Sequence, residues 1–120
     1  MTVLDEPLTR PLTYVWVPVY PIDRLTPDRG VAALADGRAV AVFLLSDGAI
    51  HVLDNIDPCS GASVLSRGLV GDVDGVATVA SPLYKQRFEL ATGRCLDADV
   101  SVAVHDAHVI DGVIHVRIAR

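Results

Sequence analysis

The sequence predicts an all-β chain, a small antiparallel sandwich or barrel with a loop-bearing subdomain inserted after Leu53. Three observations carry this. Short β-rich runs alternate with turn residues about every ten positions. Apolar arms flank Asp-Gly pairs at Asp36-Gly37, Asp47-Gly48 and Asp111-Gly112, and such pairs favour tight hairpins because both residue types accept positive φ. No long helical period, coiled coil, repeat or low-complexity tract interrupts the pattern.

The elements follow in order. Residues 1–12 hold Pro7 and Pro11 without periodicity and read as a flexible arm, leaving 13–120 as a single domain. Tyr14 to Val19 alternates and is expected as a strand, with Pro18 suiting an edge or a strand end and Trp16 serving as a core or inter-sheet anchor rather than a ligand contact. Pro21 to Leu25 reads as one helical turn, Pro27 to Gly30 as a turn and Val31 to Leu34 as a short strand. Ala39 to Leu45 and Ala49 to Leu53 form a hairpin across Ser46-Asp47-Gly48, with positive φ expected at both Asp47 and Gly48. The first of these arms is apolar on both faces, which places it centrally. Val76 to Ala80 is a strand. Phe88 to Leu90 pairs with Arg94 to Leu96, and Val100 to Val104 is another strand. A closing hairpin turns at Asp111-Gly112. Its two-residue loop sets Ile110 opposite Val113, Val109 opposite Ile114 and His108 opposite His115, with Val109, Ile114, Val116 and Ile118 facing inward.

Composition narrows the function classes. A chain of 120 residues can bury roughly two-thirds of its unfolded surface, so a core forms without metal or disulfide. A net charge of -5 argues against a nucleic-acid surface. Two cysteines, Cys59 and Cys95, make neither a disulfide framework nor a metal-ligand pair. The first ten residues lack the basic start and apolar core of a signal peptide, and no apolar run approaches the ~20 residues of a membrane span. These features lead to the expectation of a soluble, cytoplasmic chain.

The region 54–93 carries two loop cassettes. The first reads Asp54-Asn55-Ile56-Asp57-Pro58-Cys59-Ser60-Gly61-Ala62 and continues to Leu65-Ser66-Arg67-Gly68. The second reads Ala80-Ser81-Pro82-Leu83-Tyr84-Lys85-Gln86-Arg87-Phe88-Glu89-Leu90 and ends at Thr92-Gly93. Together they resemble the cluster-binding loops of a Rieske domain, where Cys-Pro-His-x-Gly-Ala and Cys-Pro-Leu-His-Gly-x-x-Phe supply two thiolates and two imidazoles to a two-iron cluster. The scaffold residues Pro58, Gly61, Ala62, Pro82, Leu83 and Phe88 match. The four ligand positions instead hold Asp57, Cys59, Ser81 and Tyr84. One thiol cannot hold the cluster, and neutral Ser or Tyr is a poor substitute for thiolate or imidazole on iron. The resemblance therefore implies a Rieske-like fold in which 54–93 replaces the cluster subdomain without binding a cluster.

The cassette wording is similar to that of the small subunit of assimilatory NAD(P)H-dependent nitrite reductase, from Trp16 to Val116; Cys59 departs from the phenylalanine more usual there. That resemblance implies a non-catalytic subunit without a cofactor of its own. Its large partner subunit would carry FAD, an iron–sulfur cluster and sirohaem, and would pass electrons from NAD(P)H to nitrite to yield ammonium. It also implies that the exposed tip docks that partner, with Arg67, Tyr84, Lys85, Gln86 and Arg87 as docking residues, because aromatics and arginine are common interface anchors. Packing of Tyr84 and Arg87 between the two loops is compatible with docking.

Other candidate chemistry reads more simply as structure. Cys59 lacks a nearby base and reads as a small filler under its loop. His108 facing His115 lacks the support of a third ligand. Asp72 and Asp74 lack the downstream glutamate of a calcium loop and read as a turn. His51 points to solvent or bonds a neighbour. No phosphate loop, supported nucleophile triad or basic stripe is present. Two rival readings remain, a divergent Rieske-type ferredoxin carrying electrons, which requires metal, and an interaction module on the same scaffold serving another oxidoreductase.

Overall fold

The computed structural model describes residues 13–119, so the arm expected at 1–12 lies outside them. Ten strands run in order: β1 (Tyr14–Pro21), β2 (Arg29–Ala35), β3 (Arg38–Leu44), β4 (Ile50–Asp54), β5 (Leu69–Val73), β6 (Val76–Ala80), β7 (Arg87–Glu89), β8 (Val104–His105), β9 (Ala107–Ile110) and β10 (Val113–Ala119). Two short 3-10 turns, Ile22–Arg24 and Leu65–Arg67, complete the regular structure among the described residues. The strands form three antiparallel sheets, ordered β1-β10-β9, β2-β3-β4-β8 and β5-β6-β7.

The middle sheet is the organising layer. Val40, Ala41, Val42 and Phe43 of β3 are all fully buried, so both faces of the strand are covered, as its unbroken apolar run implies. Val40 and Val42 face the first sheet and pack with Val52, Ile114, Val116 and Ile118. Ala41 and Phe43 face the other way and pack with Leu53, Leu65, Val79, Phe88 and Leu90. Phe43 and Phe88 are wholly buried, and burial of such side chains stabilises by about 1.5–3 kcal/mol each. The third sheet, which falls in sequence between β4 and β8, is thus seated on the second face of β3 and carries the two cassettes.

The closing hairpin has the expected register, with Val113 opposite Ile110, Ile114 opposite Val109 and His115 opposite His108. Asp111 and Gly112 both have positive φ, as a two-residue mirror-image turn requires. The hairpin at Asp47-Gly48 differs. Gly48 has φ +91, but Asp47 is not among the positive-φ residues, and Leu45 and Ala49 close a three-residue loop through Leu45 N–H donating to Ala49 O. The extra residue allows an ordinary turn ahead of one left-handed glycine, so aspartate need not share the strain.

Three further expectations are corrected. Trp16 is 40% exposed and lies on the outer face of the first sheet, while Val15 and Val17 take the inner face. Val109 is 44% exposed although it pairs with Ile114, because β9 is the sheet edge and reaches past the core. Val100 to Val104 is not one strand. Its backbone instead zigzags, with Cys95 N–H donating to Val100 O and Val102 N–H donating to Gly93 O, and regular pairing begins at Val104.

Candidate functional site

The first cassette is rooted by Asn55, which is 3% exposed. Its backbone N–H donates to Ala39 O on the neighbouring strand segment, and its carbonyl accepts from Val64 and Leu65. Its side chain accepts from Ser66 N–H at 2.7 Å and donates to Ser63 Oγ at 2.9 Å. One buried amide thereby joins the loop's two ends to the central sheet. The loop then turns on Asp57, whose N–H donates to Ala62 O and whose carbonyl accepts from Gly61. Its side-chain Oδ1 accepts from Cys59 N–H at 2.8 Å.

The second cassette leaves β6 at Ser81. Ser81 N–H donates to Gln86 O and Ser81 O accepts from Lys85 N–H, closing a tight turn through Pro82, Leu83 and Tyr84. Ser81 Oγ donates to Asp57 Oδ2 at 2.6 Å, and both residues are fully buried. The bond joins the two cassettes at the positions of the two thiolates in the resembled motif. Lys85 sits where that motif has glycine, and it has φ +67, a left-handed conformation uncommon for a side chain of its kind.

Charges around the loops are specifically arranged. The Arg87 guanidinium makes two bonds to Asp97, at 2.7 and 3.0 Å, and Arg87 N–H adds a third. The side-chain bond from Arg87 is the chief reason that the Asp97 carboxyl is held down to about 2. At the root of the cassettes, Asp54 receives two bonds from Arg38 and one from His105 Nε2–H. Burial pushes the Asp54 carboxyl up, but these bonds together more than offset it and leave it below the ordinary range. Burial raises the half-buried Cys59 thiol, and neighbouring Asp57 raises it further, so the thiolate is disfavoured.

Of the sequence-derived positions, Asp57, Ser81 and the Cys59 backbone meet directly, whereas Tyr84 is 60% exposed. This donor set does not fit a two-iron cluster. Both Asp57 oxygens already accept hydrogen bonds, one from the serine that would have to be a ligand, and the lone thiol favours its protonated form. Among the described residues no group of three or more His, Cys, Asp or Glu is placed to hold a metal ion.

Tyr84 and Lys85 in the second loop and Arg67 after the first are exposed, and among the described residues no carboxylate pairs with either cation, while Arg87 is engaged by Asp97. Gln86 is partly covered, and its Oε1 is buried without a hydrogen-bond partner among the described residues. Sequence reasoning missed Ile56 and Leu83, which are 49% and 52% exposed on the first and second cassettes. A usable signal was their position, one on each cassette beside the Asp57 and Ser81 positions.

Away from the tip, Asp72 serves its turn by accepting from Gly75 N–H. His51 is partly buried and its pKa is lowered by that burial, opposed by Asp47. His108 stacks on Trp16 with ring centroids 4.4 Å apart. Among the described residues, no helix is long and apolar enough to cross a membrane.

A family model described as a Rieske-like [2Fe-2S] domain matches residues 15–117. The small subunit of nitrite reductase (NADH) from Salmonella typhimurium is 45% identical over 104 residues, which is 85% of this chain and 96% of the relative. The NMR structure of the Escherichia coli protein NirD superposes with a TM-score of 0.79 at 41% identity, covering 88% of this chain and 97% of that one. The nitrite reductase NAD(P)H large subunit of Klebsiella oxytoca is 43% identical over 82 residues, which is 68% of this chain but only 8% of that protein.

Proposed function

This chain belongs to the Rieske-like domain family and, within it, to the small subunits of NADH-dependent nitrite reductase, and from that premise we propose that its cassette tip binds and supports the large subunit. In this reading the chain carries no cofactor. The large subunit holds the FAD, iron–sulfur cluster and sirohaem and takes electrons from NADH to nitrite, giving ammonium, in the cytoplasm. Arg67, Tyr84 and Lys85 meet the partner, together with the newly recognised Ile56 and Leu83. Gln86 and Arg87 shape the second loop behind them.

One observation carries the identity of the partner. In Klebsiella oxytoca, a stretch similar to this chain is a small part of a large subunit itself. Covalent inclusion in one protein and separate expression in another are two routes to the same juxtaposition, so the stretch works beside the large subunit. The tip suits the contact because its loops are pinned before binding. The Asp57–Ser81 bond fixes their spacing, so little ordering entropy is lost on association.

The test is NADH-dependent nitrite reduction by the large subunit with and without this chain, followed as ammonium. The expected result is higher activity, or activity that persists longer, when the chain is present. Indifferent activity without complex formation overturns the reading.

A further inference from the structure

Five non-glycine residues have positive φ among those described: Asp28, Asp36, Asp74, Lys85 and Asp111. Aspartate tolerates this region because its short polar side chain bonds locally. Lysine has no such compensation. Its backbone is nonetheless held there, by Lys85 N–H to Ser81 O at 2.9 Å and by Ser81 N–H to Gln86 O at 2.8 Å, in a turn whose base is tied to Asp57. A strained backbone persists only where its surroundings over-determine it, and such strain clusters where function requires it.

The Lys85 side chain does not help the fold. It is exposed, and among the described residues it has no ion-pair or hydrogen-bond partner, whereas nearby Arg87 and Arg94 are paired with Asp97 and Glu89. The protein carries a net charge of -5, yet Lys85 is a cation without a partner among the described residues, next in sequence to the exposed apolar side chains of Leu83 and Tyr84. A glycine would relieve the backbone and lose nothing that the fold uses. What it would lose is a cation adjoining two exposed apolar side chains.

We propose that Lys85 is the charge determinant of docking: it enters a carboxylate-bearing depression on the large subunit whose apolar walls receive Leu83 and Tyr84. This rests on the tip-docking reading above and names the chemistry of the surface that the tip recognises. Opposite charge accelerates encounter and fixes register, while the apolar contacts slow dissociation.

Binding of the full chain to the intact large subunit, at low and high salt, tests this alongside thermal melting. Three variants are compared: Lys85→Gly, Lys85→Arg, and the double variant Leu83→Ser with Tyr84→Ala. Lys85→Gly should melt at the same temperature or higher, since strain is relieved. It should bind about five- to tenfold more weakly at low salt, with a shallower salt dependence, and Lys85→Arg should retain most of the affinity. Unchanged affinity and salt dependence in Lys85→Gly overturn the role of Lys85, as does a lower melting temperature, which would make the lysine structural. If the double variant alone weakens binding, the lysine proposal fails while tip docking stands. If no variant alters binding, both fail.

Discussion

Ser81 Oγ donates to Asp57 Oδ2 at 2.6 Å across a sequence separation of 24 residues, and neither residue is exposed. In a cluster-bearing Rieske domain the two loops are joined through iron. Here a hydroxyl and a carboxylate make the join, and the other carboxylate oxygen caps the Cys59 N–H. A carboxylate so placed needs its donors, since a buried charge without partners is costly. Hydrogen bonding thus joins the two loops at the positions that ligate metal in a cluster-bearing Rieske domain.

Removing the hydroxyl should expose that dependence. Ser81→Ala leaves Asp57 Oδ2 buried without its donor, and the expected cost is about 1–3 kcal/mol in urea unfolding. Ser81→Thr, which keeps the hydroxyl, should cost less than Ser81→Ala. Equal losses in both variants would make volume, not the hydrogen bond, the decisive feature.

The Arg87–Asp97 pair makes a prediction in pH. Asp97 has a folded value of about 2, below the ~3.9 of an unperturbed aspartate. A depressed carboxylate contributes stability that is fully present above the unfolded value and disappears as pH falls through the folded one. Its contribution is therefore lost between about pH 4 and pH 2. Carboxyl carbon NMR should find Asp97 titrating near the bottom of that window, and Arg87→Ala should return it to the ordinary aspartate range. An ordinary value in the unmodified protein would contradict the pairing.

Trp16 is the only tryptophan, so intrinsic tryptophan emission reports on it alone. At 40% exposure, stacked on His108, it should be readily quenched by acrylamide in the folded protein. Trp16→Ala should cost only about 1–2 kcal/mol, because much of its surface is already in water. Phe88→Ala, at a fully buried position, should cost about 3–5 kcal/mol. A reversal of that order would place the tryptophan in the core after all.

How far the sequence was legible depended on which physical rule applied. The register of the last hairpin followed from its two-residue turn, since turn length and positive φ at Asp111 and Gly112 leave one alignment. The central place of β3 followed from its unbroken apolar run. Alternation in β1 revealed two faces but not which one is covered, so Trp16 was assigned to the wrong side. At the site, the nearness of Asp57 and Ser81 was implicit in the resemblance, because both thiolates of a Rieske centre bind one iron. Their hydrogen bond was not, and neither was the Arg87–Asp97 pair, which depends on two loops meeting. Ile56 and Leu83 were missed because an apolar loop residue reads as buried until the surface that would cover it is found not to be there.

Gly93 supports the second cassette from behind. It closes the turn between β7 and the Arg94–Leu96 segment with φ +78, and its carbonyl accepts from Val102 N–H. A Cβ at this position would press into the Val102 carbonyl oxygen, a backbone atom that cannot swing away. Gly61, in the first cassette, has a similar φ of +76, but a Cβ there would meet nothing within 4 Å. The two glycines therefore separate strain from collision. Gly61→Ala should cost about 1 kcal/mol, the penalty for a left-handed alanine. Gly93→Ala should add to this the about 1–3 kcal/mol of overpacking and loosen the pairing of Phe88 with Cys95. Hydrogen exchange at Glu89, Cys95 and Val102 amides would read that loosening, since each donates within this hairpin and its support. Equal destabilisation in the two variants, with exchange unchanged, would mean that Val102 yields freely and that the hairpin does not brace the tip.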